Sequence, residues 1–236
     1  MKPQKLLTYT RKAIDDYQMI QDGDKIAIGI SGGKDSLTLL YALSKLKEFY
    51  PKHFELIAIT VDLGFENYDT TLLSQYAQLL GVDYYVERTQ IATIVFELKK
   101  EQNPCSLCSR LRKGAFNEAA IRFGCNKIAY AHHKDDVIDS FMMSMLYEGR
   151  IHTFSPVTHL ERCNLDLIRP LIYAYEGEII SFATEQNLPI TKNPCPADGV
   201  TKRQEAKELI QQLRNTVPAT KERIFSAITG SGIDGW

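Results

Sequence analysis

Six consecutive residues, Ser31-Gly32-Gly33-Lys34-Asp35-Ser36, carry the chemistry of an anion-binding turn. Two glycines let the backbone turn sharply and bring N–H groups close to a bound anion. Ser31 and Ser36 add hydroxyl donors, and Lys34 adds a positive charge. A helix that follows such a turn points its positive N-terminal end at the same place, which suits phosphate. The spacing is not that of a Walker A loop. That motif needs Gly five residues before the Gly-Lys pair and Ser or Thr just after it, whereas Ile28 and Asp35 stand there. It is not G-x-G-x-x-G either.

Carboxylates and histidines recur further on. Asp62 closes an apolar run and could face a nucleotide, or could cap a turn. The segment Ala131-His132-His133-Lys134-Asp135-Asp136-Val137-Ile138-Asp139-Ser140 puts Asp136 and Asp139 three apart, hence on one helical face. Carboxylates beside triphosphate oxygens suit Mg²⁺. Taken alone, the same segment also reads as a helix start rich in capping Asp.

The chain has five cysteines: Cys105, Cys108, Cys125, Cys163 and Cys195. In a reducing cytosol, close pairs point to metal or redox chemistry more than to structural disulfides. Cys105 and Cys108 lie three apart near a helix start, where the helix favours thiolates. Far downstream, Asn193-Pro194-Cys195 repeats the local Asn103-Pro104-Cys105 sequence, and Pro196 follows. Each proline biases the residue before it towards extended backbone. The residues alone leave open a metal centre, a redox pair or a persulfide carrier. A structural zinc wants four ligands, and a second Cys-x-x-Cys is missing. Cys125 and Cys163 read as packing residues. Arg110, Arg112 and Lys113 flank the cysteine pair, and Lys202 and Arg203 follow Cys195. These charges could hold a phosphate-rich RNA, or could be ordinary solvated helix faces. His152 and His159 receive no role.

These residues need elements to place them. Apolar spacing predicts a leading helix over 5–20, then a strand over 25–30 that runs directly into the Gly-rich turn. A helix follows through Leu37, Leu40 and Leu43. Strands are expected over 55–61, 83–87 and 127–130, with a fifth over 167–169. Helices are expected over 69–80 (stopped by Gly81), 91–100, 110–123, 135–147, 176–186, 201–213 and 220–228. Residues 149–165 read as a loop, and Gly230-Ser231-Gly232 as a mobile tail. Alternating strands and helices argue for an α/β fold with a doubly wound, parallel five-stranded sheet. The expectation is one domain over 1–236, with its core at about 22–190 and a helical C-terminal extension at about 191–236.

At 236 residues, 44% hydrophobic and 24% charged, the composition is that of a globular protein. A net charge of −1 gives no overall basic field, so a nucleic-acid partner needs a local patch. No apolar run reaches the roughly 20 residues that span a bilayer. No membrane contact and a cytoplasmic location are expected, with a homodimer left open.

The turn Ser31 to Ser36 resembles the PP-loop, Ser-Gly-Gly-x-Asp-Ser, of N-type ATP pyrophosphatases, which cleave ATP between the α and β phosphates. The 131–140 segment resembles the family's G-H-H-x-D-D-x-x-E-T, with Ala131, Asp139 and Ser140 departing from it. With Cys-x-x-Cys in C-S-L-C-S-R-L-R-K-G, Arg169-Pro170-Leu171 and a late Cys-Pro, the set is similar to the tRNA 2-thiocytidine synthetase (TtcA) family over about residues 5–215. That resemblance implies an adenine nucleotide α-hydrolase-like fold. It implies ATP at Ser31, Gly32, Gly33, Lys34, Asp35, Ser36, Asp62 and His132, and Mg²⁺ at Asp136 and Asp139. Lys34, Asp35, Asp136, Cys105 and Cys108 would act in catalysis. Cys105, Cys108 and Cys195 would hold a [4Fe-4S] cluster with one iron open for sulfide. The substrate would be a flipped-out cytidine of a tRNA anticodon loop, adenylated at its C2 oxygen and then thiolated. The sulfur donor would be one such as a cysteine desulfurase.

Other readings remain at this point. The same chemistry could act on another base or a small molecule. An amide- or lysidine-forming adenylation would leave the cysteines idle. A cluster- or nucleotide-binding sensor would bind without releasing pyrophosphate.

Overall fold

The apolar runs become neighbouring strands, and the helices between them return the chain across the two faces of one sheet. The computed structural model describes residues 1–66, 68–99, 104–191, 195 and 202–236, the side chains of Lys202 and Arg203 excepted. Along the chain come α1 (Pro3–Asp16), β1 (Asp24–Gly29), α2 (Lys34–Lys47), β2 (Phe54–Asp62), α3 (Thr71–Leu79) and β3 (Asp83–Arg88). A π-helical segment (Thr93–Lys99) and α4 (Pro104–Arg122) follow, then β4 (Lys127–Ala129) and α5 (Lys134–Glu148). The chain ends with β5 (Val157–Leu160), β6 (Leu165–Ile168), α6 (Glu176–Glu185), α7 (Lys202–Thr216), α8 (Thr220–Ser231) and a short turn of helix (Ile233–Gly235).

The sheet order is β3-β2-β1-β4-β6-β5. The five expected strands pair in parallel. A sixth, β5, runs antiparallel to β6 at the edge and comes from the segment read as a loop. Its four residues carry too short an alternation to stand out, and the pairing with β6 is what makes them a strand. The chain moves outward from β1 to β3, then returns to the other side of β1 with β4. The carboxyl ends of β1 and β4 therefore flank the crevice where such sheets bind ligands.

Period-two alternation sorts the strand residues between two cores. Ile26, Ile28, Leu56, Ala58, Ala129 and Ile168 face the larger core with α1, α2, α5 and α6. Ala27, Ile57, Ile59, Val61, Ile128 and Leu167 face the other, with Ile91, Val95, Phe116 and Ala119. This second layer fixes α4 over the carboxyl end of the sheet. α4 starts at Pro104, six positions before the expected start, so both Cys105 and Cys108 lie within its opening turns. Proline is at home at a first helical position, where its missing N–H is no loss.

Gly81 does end α3, with a φ of +66° that an L side chain rarely adopts. The tail is not mobile as expected. α8 runs through Ser231, and the Trp236 ring lies 5.9 Å from Tyr17 and 5.5 Å from Phe225, both edge-on. Its indole N–H donates to the Phe154 carbonyl at 3.0 Å. A terminal aromatic with a satisfied N–H holds the end of the chain down. No helix among the described residues is long and apolar enough to cross a membrane.

Candidate active site

Between Gly29 and Lys34 the chain leaves β1 and enters α2 through the Gly-rich turn. Gly32 has a φ of +80°, which permits the reversal without the strain a Cβ would add. Ser31 donates its backbone N–H to Ser36 Oγ at 3.2 Å, and Ser36 Oγ donates to the Gly33 carbonyl at 3.0 Å. These bonds shape the turn. Among the described residues no side chain caps the start of α2 at Gly33, so its first N–H groups suit an anion.

Lys34 Nζ pairs with Asp35 Oδ2 at 3.0 Å and with Glu176 Oε1 of α6 at 3.3 Å. Burial lowers the Lys34 pKa, and the two carboxylates more than offset this, leaving it raised. Among the described residues no hydrogen-bond partner reaches the buried Asp35 Oδ1, and His133 Nε2 stands 3.9 Å away. An orphaned carboxylate oxygen beside a phosphate turn fits Mg²⁺ by donor type.

The turn opens on a cavity of about 290 Å³. Ser31, Asp35 and Ser36 wall one side, Tyr130, Ala131 and His132 another, and Ser109, Arg112, Lys113 and Phe116 of α4 a third. The helix bearing the thiol pair thus closes over the phosphate turn, with Arg112 one helical turn beyond Cys108. Lys113 lines the cavity while largely exposed, and Arg110 is exposed.

Cys105 is exposed, while Cys108 and Cys195 are half-buried. Burial pushes the Cys108 thiol up most, Cys195 and Cys105 push it the same way, and Arg112 opposes them. Each of these groups is therefore an electrostatic neighbour of Cys108, although Cys195 lies far away in sequence. The thiols are neighbours rather than a closed ligand set: among the described residues no three His, Cys, Asp or Glu are grouped closely enough for one metal ion. By donor type alone, three neighbouring thiols beside a cation suit an iron–sulfur cluster. Cys125 is buried, its thiol pushed up to about 11 by that burial. Cys163 accepts from Asn117 Nδ2 at 3.7 Å and packs against the core beneath α4. The side chains of Lys202 and Arg203, and residues 193, 194 and 196 around Cys195, lie outside the described residues.

Other expected residues are placed less simply. Asp62 stands at the carboxyl end of β2, where its Oδ1 accepts from Gly64 N–H at 2.9 Å, and it is not among the cavity's lining residues. Asp136 caps its own helix: His133 N–H donates to Asp136 Oδ2 at 3.0 Å, and Asp136 N–H to His133 Nδ1 at 3.3 Å. Asp139 is 2% exposed and lines a second cavity of about 140 Å³ with Asp135, Glu176, Lys207 and Lys221. The structure thus puts Asp136 and Asp139 behind the turn more than in front of it.

That second cluster escaped sequence reading. Glu176 binds Lys34 on one side and Lys207 Nζ at 2.9 Å on the other, and Lys207 lies 4.0 Å from Asp139. Lys221 pairs with Asp135, whose Oδ2 accepts from Glu176 N–H at 2.7 Å. Burial alone would raise the Glu176 pKa, but Lys207, Lys34 and His133 bring it down to about 2. The helices α7 and α8 therefore reach the PP-loop lysine through charge. Nothing in ordinary helical lysines signals such a role.

A profile of the PP-loop domain family matches residues 5–213. The chain is 36% identical over 227 residues to the tRNA-cytidine(32) 2-sulfurtransferase of Syntrophotalea carbinolica, covering 95% of this chain and 88% of that one. It is 34% identical over 220 residues to the tRNA-cytidine(32) 2-sulfurtransferase of Geobacter sulfurreducens, covering 92% and 86%. Among solved structures, the U34-tRNA thiolase NcsA of Methanococcus maripaludis with its [4Fe-4S] cluster superposes with a TM-score of 0.77 at 28% identity. That match covers 93% of this chain and 76% of that one.

Proposed function

Because the chain belongs to the PP-loop domain family and, within it, to the tRNA-cytidine(32) 2-sulfurtransferases its motifs resemble, we propose that it uses ATP to replace the C2 oxygen of a tRNA cytidine with sulfur. The observation that carries this reading is the shared wall. The cavity lined by Ser31, Asp35 and Ser36 is also lined by the helix that holds Cys105 and Cys108.

ATP sits with its phosphates on Ser31, Gly32, Gly33 and Ser36, held by backbone N–H groups, hydroxyls and the start of α2. Lys34 exchanges part of its pairing with Glu176 for phosphate oxygens. Asp35, whose Oδ1 is buried at the turn, would hold a Mg²⁺ ion, which would neutralise phosphate charge. The cytidine C2 oxygen attacks the α-phosphorus and pyrophosphate leaves, which makes that oxygen a good leaving group. Arg112 lines the cavity and is an electrostatic neighbour of Cys108, so its charge is shared by the nucleotide and thiol sides of the site. Cys105, Cys108 and Cys195 would hold a [4Fe-4S] cluster, which would supply a place to carry sulfide to the base. Attack of sulfur at C2 then expels AMP. Arg110 and Lys113, exposed on α4, offer charge for an anticodon-loop backbone, and the base enters unstacked.

The position is 32, as in the relatives' name. The sulfur comes from a donor such as a cysteine desulfurase, with a thiol reductant supplying the two electrons that bring persulfide sulfur to the sulfide level, and the protein works in the cytoplasm with its tRNA. Nucleoside analysis of tRNA from cells lacking the gene tests this. 2-Thiocytidine should vanish, return with the wild-type gene, and stay absent with Asp35→Asn. Its persistence in the deletion strain would refute the proposal.

A further inference from the structure

Arg169 follows β6 and is only 6% exposed. No carboxylate pairs with it among the described residues. Its Nε donates instead to His132 Nδ1 at 3.2 Å, and its Nη1 to Thr158 Oγ1 at 2.9 Å and to the Ser155 carbonyl. The guanidinium lies 4.8 Å from the Phe154 ring, and that ring packs 4.8 Å from the His132 imidazole. Tyr130 meets the imidazole edge-on at 5.9 Å. The bond from Arg169 and the rings of Phe154 and Tyr130 help to hold the imidazole, which lines the nucleotide cavity.

A neutral imidazole has one N–H and one acceptor nitrogen, and the partner of one nitrogen decides the other. A guanidinium can only donate, so His132 Nδ1 must accept. A fixed positive charge against that nitrogen also opposes a second proton. We propose that Arg169 is a positioning residue that holds His132 as the neutral Nε2–H tautomer, so that His132 serves the cavity as a hydrogen-bond donor and not as a general acid or base.

Among the described residues, the titratable groups facing His132 include Tyr130 from the end of β4 and Arg169 from the end of β6, with Asp35, Arg112 and Lys113 around the cavity. Burial lowers the Arg169 pKa to about 10, which still leaves it charged at neutral pH. Burial raises Tyr130 to about 12, so it stays neutral. Within the function proposed above, on which this assignment of purpose rests, a fixed donor suits an oxygen that gains negative charge as the phosphorus–oxygen bonds change. Lysine would not replace Arg169, because a single point charge cannot span His132, Thr158 and Ser155 as a planar fork does.

The test begins with wild-type protein carrying ¹⁵N-histidine, the His132 signal being assigned by its loss in His132→Asn. Between about pH 5.5 and 8 the signal should show an unprotonated Nδ1 and a protonated Nε2, without titration. A proton on Nδ1, or a midpoint near the ordinary value of about 6.5, overturns the proposal. Arg169→Met should let the His132 signal titrate and lower thiolation by about 10–100-fold. Arg169→Gln, whose amide can still donate, should recover part of both. Equal losses in the two variants with an unchanged His132 signal would mean that Arg169 only packs, and would overturn the proposal. If wild-type protein fails to thiolate tRNA, the function falls while the tautomer measurement still decides this point.

Discussion

The backbone N–H of Thr191 donates to the carbonyl of Gly32 at 3.0 Å. The phosphate turn is thereby tied to the chain four residues before Cys195. The fit is close, since a Cβ built on Gly32 would lie 2.0 Å from Thr191 Oγ1. The phosphate turn is thus held by Thr191 as well as walled by α4.

Gly32→Ala should accordingly be poorly tolerated. It adds a clash with Thr191 to a φ of +80°, and together these should cost about 1–3 kcal/mol. Titration calorimetry with a non-hydrolysable ATP analogue should show affinity weakened by about tenfold or more, since 1.4 kcal/mol already corresponds to tenfold. Adding Thr191→Ala should restore part of the thermal stability. No gain from the second substitution would argue against the clash.

Glu176 should shape the acid limb of stability. Its folded pKa of about 2 lies below the ordinary value of 4.5. A depressed carboxylate gives stability that is fully present above about 4.5 and is lost as pH falls towards 2. Denaturant unfolding from pH 6 down to pH 3 should show a loss on the order of 2 kcal/mol in the wild type that Glu176→Gln lacks. Equal slopes for the two proteins would refute the pairing with Lys207 and Lys34.

The three thiols should divide from the other two. After anaerobic reconstitution, Cys105→Ala, Cys108→Ala and Cys195→Ala should each lose bound iron and tRNA thiolation. Cys125→Ala and Cys163→Ala should keep their iron content, at a stability cost of about 1 kcal/mol for the buried Cys125. Iron and sulfide analysis with an optical spectrum checks this. Full iron content in Cys195→Ala would break the three-thiol set.

Trp236 should matter to stability although it ends the chain. Trp236→Ala removes its packing on Tyr17 and Phe225 and its bond to Phe154. A loss of about 1–3 kcal/mol is expected for this partly buried ring. That corresponds to a melting temperature lower by roughly 2–4 °C per kcal/mol. An unchanged melting temperature would mean that the tail is not docked in solution.

Much of this arrangement was legible because local patterns carry it. The parallel strands are apolar runs, and the PP-loop sits where a strand becomes a helix. The cysteine pair, His132 and the late Cys195 stood out by type and spacing. The missing parts are tertiary. β5 has four residues and takes its meaning from β6. Lys34, Glu176, Lys207 and Asp139 come from four different helices, so no window of sequence joins them. Asp136 stood out as a carboxylate suited to a metal, and in the fold it also caps its own helix through His133, a use its type allows equally well. Arg169 was visible only as part of a motif, because its partner His132 is 37 residues away.

The most direct measurement is single-turnover reaction of anaerobically reconstituted protein with tRNA, ATP, Mg²⁺ and a sulfide source, following AMP, pyrophosphate and 2-thiocytidine together. AMP and 2-thiocytidine should form one for one in the wild type, and Cys195→Ala should form no 2-thiocytidine. Thiolation that proceeds without ATP, or that survives loss of Cys195, would contradict a site in which nucleotide turn and thiols act on the same base.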